Sequence, residues 1–290
     1  MKAPRFSYVR AESVEEALRL LDEHGDEARI LAGGQSLMPT LNMRLSQPRL
    51  LIDINRLGPL KGISVAGDRV RIGAMTRHAE VARSPIVVKH LPLIAEAMPH
   101  VAHVAVRNRG TFGGSIALAD PAAEMPACVV ALGATLIVQS AGGKREIAAE
   151  DYFKGLYETA RQPNEILVEV LIPMQRPNAV SVFLELARRH GDFAIAGIAS
   201  QLTFDRGLVA EARLVYFGSE DRPTLAARAA AALRGQRLDA AAREAAADAL
   251  AHDLAPMSNT QGSAKLRLEL QRVLTRRALD TVFQRVRAAA

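Results

Sequence analysis

Along residues 13–25, SVEEALRLLDEHG, the apolar side chains Val14, Ala17, Leu18 and Leu21 recur at helical intervals. Ser13 stands where an N-cap belongs, Glu16 follows at capping-box spacing, and Gly25 is placed to end the helix. ARILAGG, 28–34, is then a short apolar run that enters a pair of glycines. SLMPTLNMRL, 36–45, resumes a helical pattern, and RLLIDI, 49–54, is another strand. Strand, glycine turn, helix and strand in that order expose backbone N–H groups at a helix start. Residues 1–55 therefore read as a β/α unit.

The texture changes over residues 56–175. GISVAGDRVRIGAMT predicts a hairpin turning at Ala66-Gly67-Asp68, and residues 77–102 predict helices interrupted by prolines. A second pair of glycines, in RNRGTFGGSIALADPAAEMPA, lies eighty positions after the first and precedes a helical run, AEMPACVVALGA. TLIVQS and GKREIAAEDYF predict strands joined at Gly142-Gly143, and EILVEVLIP closes the region with alternating apolar positions and a proline. In the third region, 176–290, strands are expected at 180–187, 196–204 and 208–217, with Asp205-Arg206-Gly207 as a hairpin turn. The remainder, TLAARAAAALRG, DAAAREAAADALAHDL and KLRLELQRVLTRRALDTVFQRV, is alanine-rich helix.

Composition narrows the classes. With 290 residues, 49% hydrophobic and 23% charged, the chain suits one large globular domain or a few small ones. The net charge of +6 comes from scattered arginine, notably Arg267, Arg272, Arg276, Arg277 and Arg285 near the C-terminus. That distribution fits a solvated helix face better than a partner-docking one. With 4% aromatics and no Trp it argues against nucleic acid. The single cysteine, Cys128, excludes an internal disulfide and a complete iron–sulfur ligand set. No signal-peptide core and no run of about 20 apolar residues is present, so a cytoplasmic protein without membrane insertion is expected.

The paired glycines carry the candidate chemistry. Gly33-Gly34-Gln35-Ser36 and Gly113-Gly114-Ser115 could be plain turns, or together could grip a phosphate-containing ligand from two sides. Glycine admits close approach and positive φ, successive N–H groups make an anion nest, and Ser36, Thr111 and Ser115 add hydroxyl donors. Neither loop is G-x-G-x-x-G, and no G-x-x-x-x-G-K-[ST] occurs. His100 and His103 lack the acidic or Cys partners of a metal site, and Ser36 and Ser115 lack an evident base.

AGGQSLMPTLNMRL together with RNRGTFGGSIALADPAAEMPA resembles the FAD-binding medium subunit of the molybdenum hydroxylases, a family that includes carbon monoxide dehydrogenase and xanthine dehydrogenase. The resemblance continues through EILVEVLIP, ARRHGDFAIAGIA and the GSAKLRLELQRVLTRRAL helix, nearly the whole chain. It implies an α+β protein: a vanillyl-alcohol-oxidase (PCMH) type FAD-binding fold in two subdomains, 1–55 and 56–175, then a C-terminal α+β domain, 176–290, with a small antiparallel sheet. FAD would lie between the first two. The resemblance implies that Ala32, Gly33, Gly34, Gln35 and Ser36 wrap the pyrophosphate with Thr111, Gly113, Gly114 and Ser115. Arg29, Ile30 and Leu31 would lead into the first loop, Leu37 would follow it, and Gly110 would precede the second. Glu124 would accept bonds from the adenosine ribose or simply be a surface N-cap; Val101 and Leu167 would lie beside the rings or simply pack in the core. Asp192 and Phe193 would approach the isoalloxazine. Ile195 stands where xanthine dehydrogenases have a lysine, which leaves NAD open as the acceptor.

The resemblance further implies an electron-transfer subunit. Its partners would be a large molybdopterin subunit and a small [2Fe–2S] subunit, in a dimer of heterotrimers. Purines, N-heterocycles, aldehydes and CO are all compatible substrates, because that pocket would lie on the large subunit. A stand-alone flavin oxidase would need a base over the ring that the sequence does not offer, and a nucleotide-binding scaffold would be colourless.

Overall fold

The computed structural model describes residues 2–289. It begins with β1 (Ser7–Arg10), α1 (Val14–His24), β2 (Ala28–Leu31), α2 (Leu37–Asn42) and β3 (Leu50–Asp53). The three strands form a parallel sheet in the order β1-β3-β2. Helix α1 starts as its sequence predicts. The Glu16 amide donates to Ser13 Oγ at 3.1 Å, the Glu12 amide donates to the Glu16 carboxylate at 2.7 Å, and Gly25 ends the helix at φ 50°. Strand β1 has no apolar period to announce it, because it is an edge strand with three of its four residues exposed.

The second layer is antiparallel. Strands β4 (Ile63–Ala66) and β5 (Arg69–Gly73) form the expected hairpin. Prolines at the starts of α4 (Pro85–His90) and α5 (Pro92–Ala97) divide them from each other and from α3 (His78–Arg83). Then come α6 (Val104–Arg107), α7 (Phe112–Leu118) and α8 (Glu124–Ala131). The second double glycine thus lies within the first turn of a helix, not ahead of one, with Thr111 as N-cap. Strands β6 (Thr135–Ser140) and β7 (Gly143–Ala148) follow, and the second strand is shorter than expected because the chain turns into α9 (Ala149–Tyr152) to bury Tyr152. A small ribbon, β8 (Phe153–Gly155) and β9 (Glu158–Thr159), precedes β10 (Ile166–Pro173).

Strand β10 is the middle of the five-stranded sheet β4-β5-β10-β6-β7. Both of its faces are buried: Leu167, Val170 and Ile172 join the core under α5, α7 and α8, while Ile166 and Val168 join the core of the parallel layer with Leu18, Leu21 and Ile52. A bulge between Leu167 and Glu169 sets that alternation. One strand therefore fastens the parallel layer to the antiparallel one.

The C-terminal part is a sheet in the order β11 (Ala179–Leu186), β12 (Ala196–Asp205), β13 (Leu208–Phe217) and β14 (Thr224–Leu225). Arg206 and Gly207 both have positive φ, 47° and 79°, as a two-residue hairpin turn requires. The run TLAARAAAALRG gives up Thr224–Leu225 to the sheet edge before α10 (Ala227–Leu233) begins. Helices α10, α11 (Ala240–Ala249) and α12 (Ala264–Ala289) cover one face, and the other packs Phe183 and Phe217 toward α8. Three arginines of α12 are paired with carboxylates: Arg276 with Glu244 at 2.6 Å, Arg285 with Glu96 at 2.6 Å, Arg272 with Glu269 at 2.6 Å. Arg267 is buried, donating to the Gly218 carbonyl at 3.0 Å. No helix among the described residues is long and apolar enough to cross a membrane.

Candidate cofactor site

The parallel strands deliver Arg10, Leu31 and Asp53 to one edge, the carboxyl ends of β1, β2 and β3. A cavity of about 600 Å³ opens there, where open α/β sheets bind ligands. Leu31, Ala32, Gly33, Gly34 and Gln35 line it on one side; Arg10, Arg56, Arg77 and Arg109 make it strongly cationic.

The two glycine loops touch. A Cβ on Gly33 would lie 2.5 Å from the Arg109 carbonyl oxygen and 2.8 Å from Gly110 Cα, and a Cβ on Gly114 would lie 3.8 Å from Ala32 Cβ. At Gly33 the missing side chain makes room for the chain itself. Gly113 is the same case, packed against Ala74 of the antiparallel layer. Gly34 is required for its conformation, at φ 72°. The loops also differ in what they offer. In the second, the amides of Gly113, Gly114 and Ser115 are already engaged, with the Ala74 carbonyl, Thr111 Oγ1 and the Thr111 carbonyl. In the first, the amides of Gly34, Gln35 and Ser36 donate to no group among the described residues. The first loop therefore supplies backbone N–H groups to the cavity, while in the second the Thr111 hydroxyl is buried as the cap of Gly114 and residues 111–115 line no part of it. A diphosphate fits the first loop's donor set.

Polar side chains tie the loops together. Asn55 Nδ2 donates to the Ala32 carbonyl at 2.7 Å and to Asp53 Oδ1 at 2.7 Å. Its Oδ1 accepts from Arg77 Nη2 at 2.7 Å, and the other arm of Arg77 donates to the Arg109 carbonyl. Burial pushes the Asp53 carboxyl up, but hydrogen bonds from Tyr8 and Asn55 and the nearby Arg10 outweigh it and hold the group below its ordinary value. Tyr8, Arg10, Asp53, Asn55 and Arg77 were not singled out by sequence. Tyr8 and Arg10 sit on the unannounced edge strand, Asp53 and Arg77 lie inside elements that show only a hydrophobic pattern in sequence, and Asn55 lies just beyond one. Only Arg109 lay inside a quoted motif.

Farther along the same chain segment, Arg107 donates to the carbonyls of Val101 at 2.8 Å and Ala102 at 2.6 Å, stabilising Ala102 at φ 43°. Gly191 of the C-terminal sheet's loop packs there, where a Cβ would lie 3.0 Å from the Ala102 carbonyl and the His103 ring. This brings Asp192 and Phe193 to the 101–103 segment; the Phe193 side chain is 64% exposed. Glu124 begins α8 and is buried; burial first, and Asp120 second, push its carboxyl up to about 7. The Arg29 guanidinium turns back to the Asp26 and Ala28 carbonyls, each at 2.8 Å. Ile30 packs against the parallel layer's core, and Val101 and Leu167 lie in the helical one. None of these four side chains lines the cavity; Leu37 is the first residue of α2 and partly buried.

A parallel β/α layer and an antiparallel sheet that meet at two glycine loops define an α+β FAD-binding domain. Residues 4–175 match the family model described as FAD binding domain in molybdopterin dehydrogenase, and residues 181–282 match CO dehydrogenase flavoprotein C-terminal domain. The chain belongs to the FAD-binding medium subunits of the molybdenum hydroxylases and is an oxidoreductase subunit. It is 41% identical to subunit alpha of the 6-hydroxypseudooxynicotine dehydrogenase complex of Paenarthrobacter nicotinovorans, over 99% of this chain and 97% of that one. Among solved structures it is similar to carbon monoxide dehydrogenase from Hydrogenophaga pseudoflava, with 38% identity, a TM-score of 0.96, and coverage of 98% of this chain and 99% of that one. Quinoline 2-oxidoreductase from Pseudomonas putida 86 aligns over the same shares, with 39% identity and a TM-score of 0.93.

Proposed function

We propose that this chain is the electron-transfer subunit of a heteromeric molybdenum hydroxylase, taking electrons from the [2Fe–2S] clusters of a small subunit and passing them to an external acceptor. A large subunit with molybdopterin would hold the substrate, and the assembly would be a dimer of heterotrimers. The observation that carries the reading is the contact between the two glycine loops, with three unengaged amides on the first, beside four arginines. FAD, when bound, supplies a ring that takes electrons one or two at a time, which no side chain here can do. The chain binds, orients and shields it. Ala32 to Ser36 and Thr111 to Ser115 hold the diphosphate, with Arg29 to Leu31, Leu37 and Gly110 as their backbone frame. Glu124 accepts from the ribose once ionised, with Val101 and Leu167 as the apolar packing near it. Asp192 and Phe193 approach the ring, where the exposed Phe193 side chain excludes water. We divide the FAD-binding part at residue 55 and end it at residue 175.

An absorption spectrum of the natively purified chain with its co-purifying partners tests this. The expected result is flavin released on denaturation, with iron and molybdenum tracking two further chains. Flavin without partners, together with oxidase activity, would replace the reading with a stand-alone flavoenzyme. A colourless folded chain that takes up no added FAD would end it.

A further inference from the structure

The link between the glycine loops runs through side chains with a fixed direction of donation. Asn55 gives its N–H groups to the Ala32 carbonyl at 2.7 Å and the Leu31 carbonyl at 3.3 Å, and its own carbonyl oxygen receives Arg77. Only an amide both donates and accepts in this way; a carboxylate at position 55 would face two backbone carbonyls with no proton to offer. Arg77 needs its fork equally, since one arm reaches Asn55 and the other the Arg109 carbonyl, which introduces the second loop. Arg77 is itself held in place. Its residue pairs with Thr111 in an isolated β-bridge, and its amide donates to Glu80 at 2.7 Å. Asn55 is fixed by Asp53, which accepts from the Asn55 amide at 2.8 Å and from the Tyr8 hydroxyl.

We propose that Asn55 and Arg77 form a strap that sets the separation of the two cofactor loops, which makes Arg77 a positioning residue for the FAD diphosphate. The proposal rests on the reading of these loops as the FAD site. It separates two roles for Arg77. As a mere cation beside the phosphates, any positive side chain would serve and Asn55 would be irrelevant. As half of a strap, its geometry matters more than its charge, and loss of Asn55 is equivalent to loss of Arg77.

The test uses the full chain, stripped of FAD and titrated with it, as Asn55→Ala, Arg77→Gln, Arg77→Lys and the Asn55→Ala/Arg77→Gln double variant. A charge-assisted hydrogen-bond link of this kind predicts that each single variant weakens FAD binding about tenfold. The double variant should be no weaker than either single one, because both cut the same connection. Arg77→Lys should resemble Arg77→Gln, and Asn55→Ala, though it changes no charge, should weaken FAD binding as much as Arg77→Gln does. The strap is overturned by multiplicative losses in the double variant, by a lysine that restores wild-type affinity, or by an Asn55→Ala affinity equal to wild type. If Arg77→Gln does not fold, Asn55→Ala and Arg77→Lys carry the same comparison. A folded wild-type chain that takes up no FAD would overturn the cofactor reading and the strap with it, whereas FAD-binding variants equal to wild type would overturn the strap alone.

Discussion

Two glycines of one site answer different physical demands. At Gly33 an added Cβ meets backbone, the Arg109 carbonyl and Gly110 Cα, which cannot swing aside. At Gly114 it meets Thr111 Oγ1 at 2.5 Å, a side-chain atom that can rotate away at the cost of the helix cap. Gly33→Ala is therefore expected to separate the loops, with lost FAD and a lower melting temperature. Gly114→Val should fold and lose FAD selectively, and full FAD occupancy in folded Gly114→Val would refute the second loop's role. Glu124 gives a pH-dependent expectation. Its folded-state pKa of about 7 lies above the ordinary 4.5, so the folded protein holds the proton more tightly than the unfolded chain. Stability from this group is full below pH 4.5, falls as pH rises toward 7, and stays low above it. Glu124→Gln should flatten that slope and stabilise the FAD-free protein above pH 7 by up to about 3 kcal/mol. Urea titrations at pH 5 and 8 would reveal it; an unchanged difference between the two would remove the claim.

Among the elements, α12 shows how a polar helix face can be structural. Gln271 is fully buried and donates to the Phe217 carbonyl at 3.0 Å and Ser219 Oγ at 2.8 Å, while Thr275 meets the Tyr216 hydroxyl at 2.7 Å. These bonds tie the helix to the end of β13. Gln271→Leu leaves buried acceptors and a hydroxyl without their partner, an expected loss of about 1–3 kcal/mol. Thermal unfolding would show it, and a melting temperature equal to wild type would mean that water replaces the amide. In sequence, the same helix reads as a solvated basic face, because composition does not say which arginines and glutamines turn inward. Elements with a clear period or cap were legible: α1 through Ser13 and Gly25, and the β12–β13 hairpin through Arg206-Gly207. Short elements stabilised only by neighbours, such as β1 and β14, were not.

For the molecule as a whole, the family motifs disclosed the fold class and both loops, since motif glycines mark backbone constraints that are local in sequence. They did not disclose what the glycines make room for, nor the polar strap. Tyr8, Asp53 with Asn55, Arg77 and Arg109 come from four separate stretches and meet only once the sheets have formed. The order of assembly follows from β10. All the backbone of the proposed diphosphate cradle has been made by residue 115, yet the layer beneath it lacks its central strand until residues 166–173 exist. During synthesis the chain would thus carry both loops for some time without the strand that holds their supports together. Cofactor capture becomes a late event, timed by a strand whose side chains line no part of the cavity.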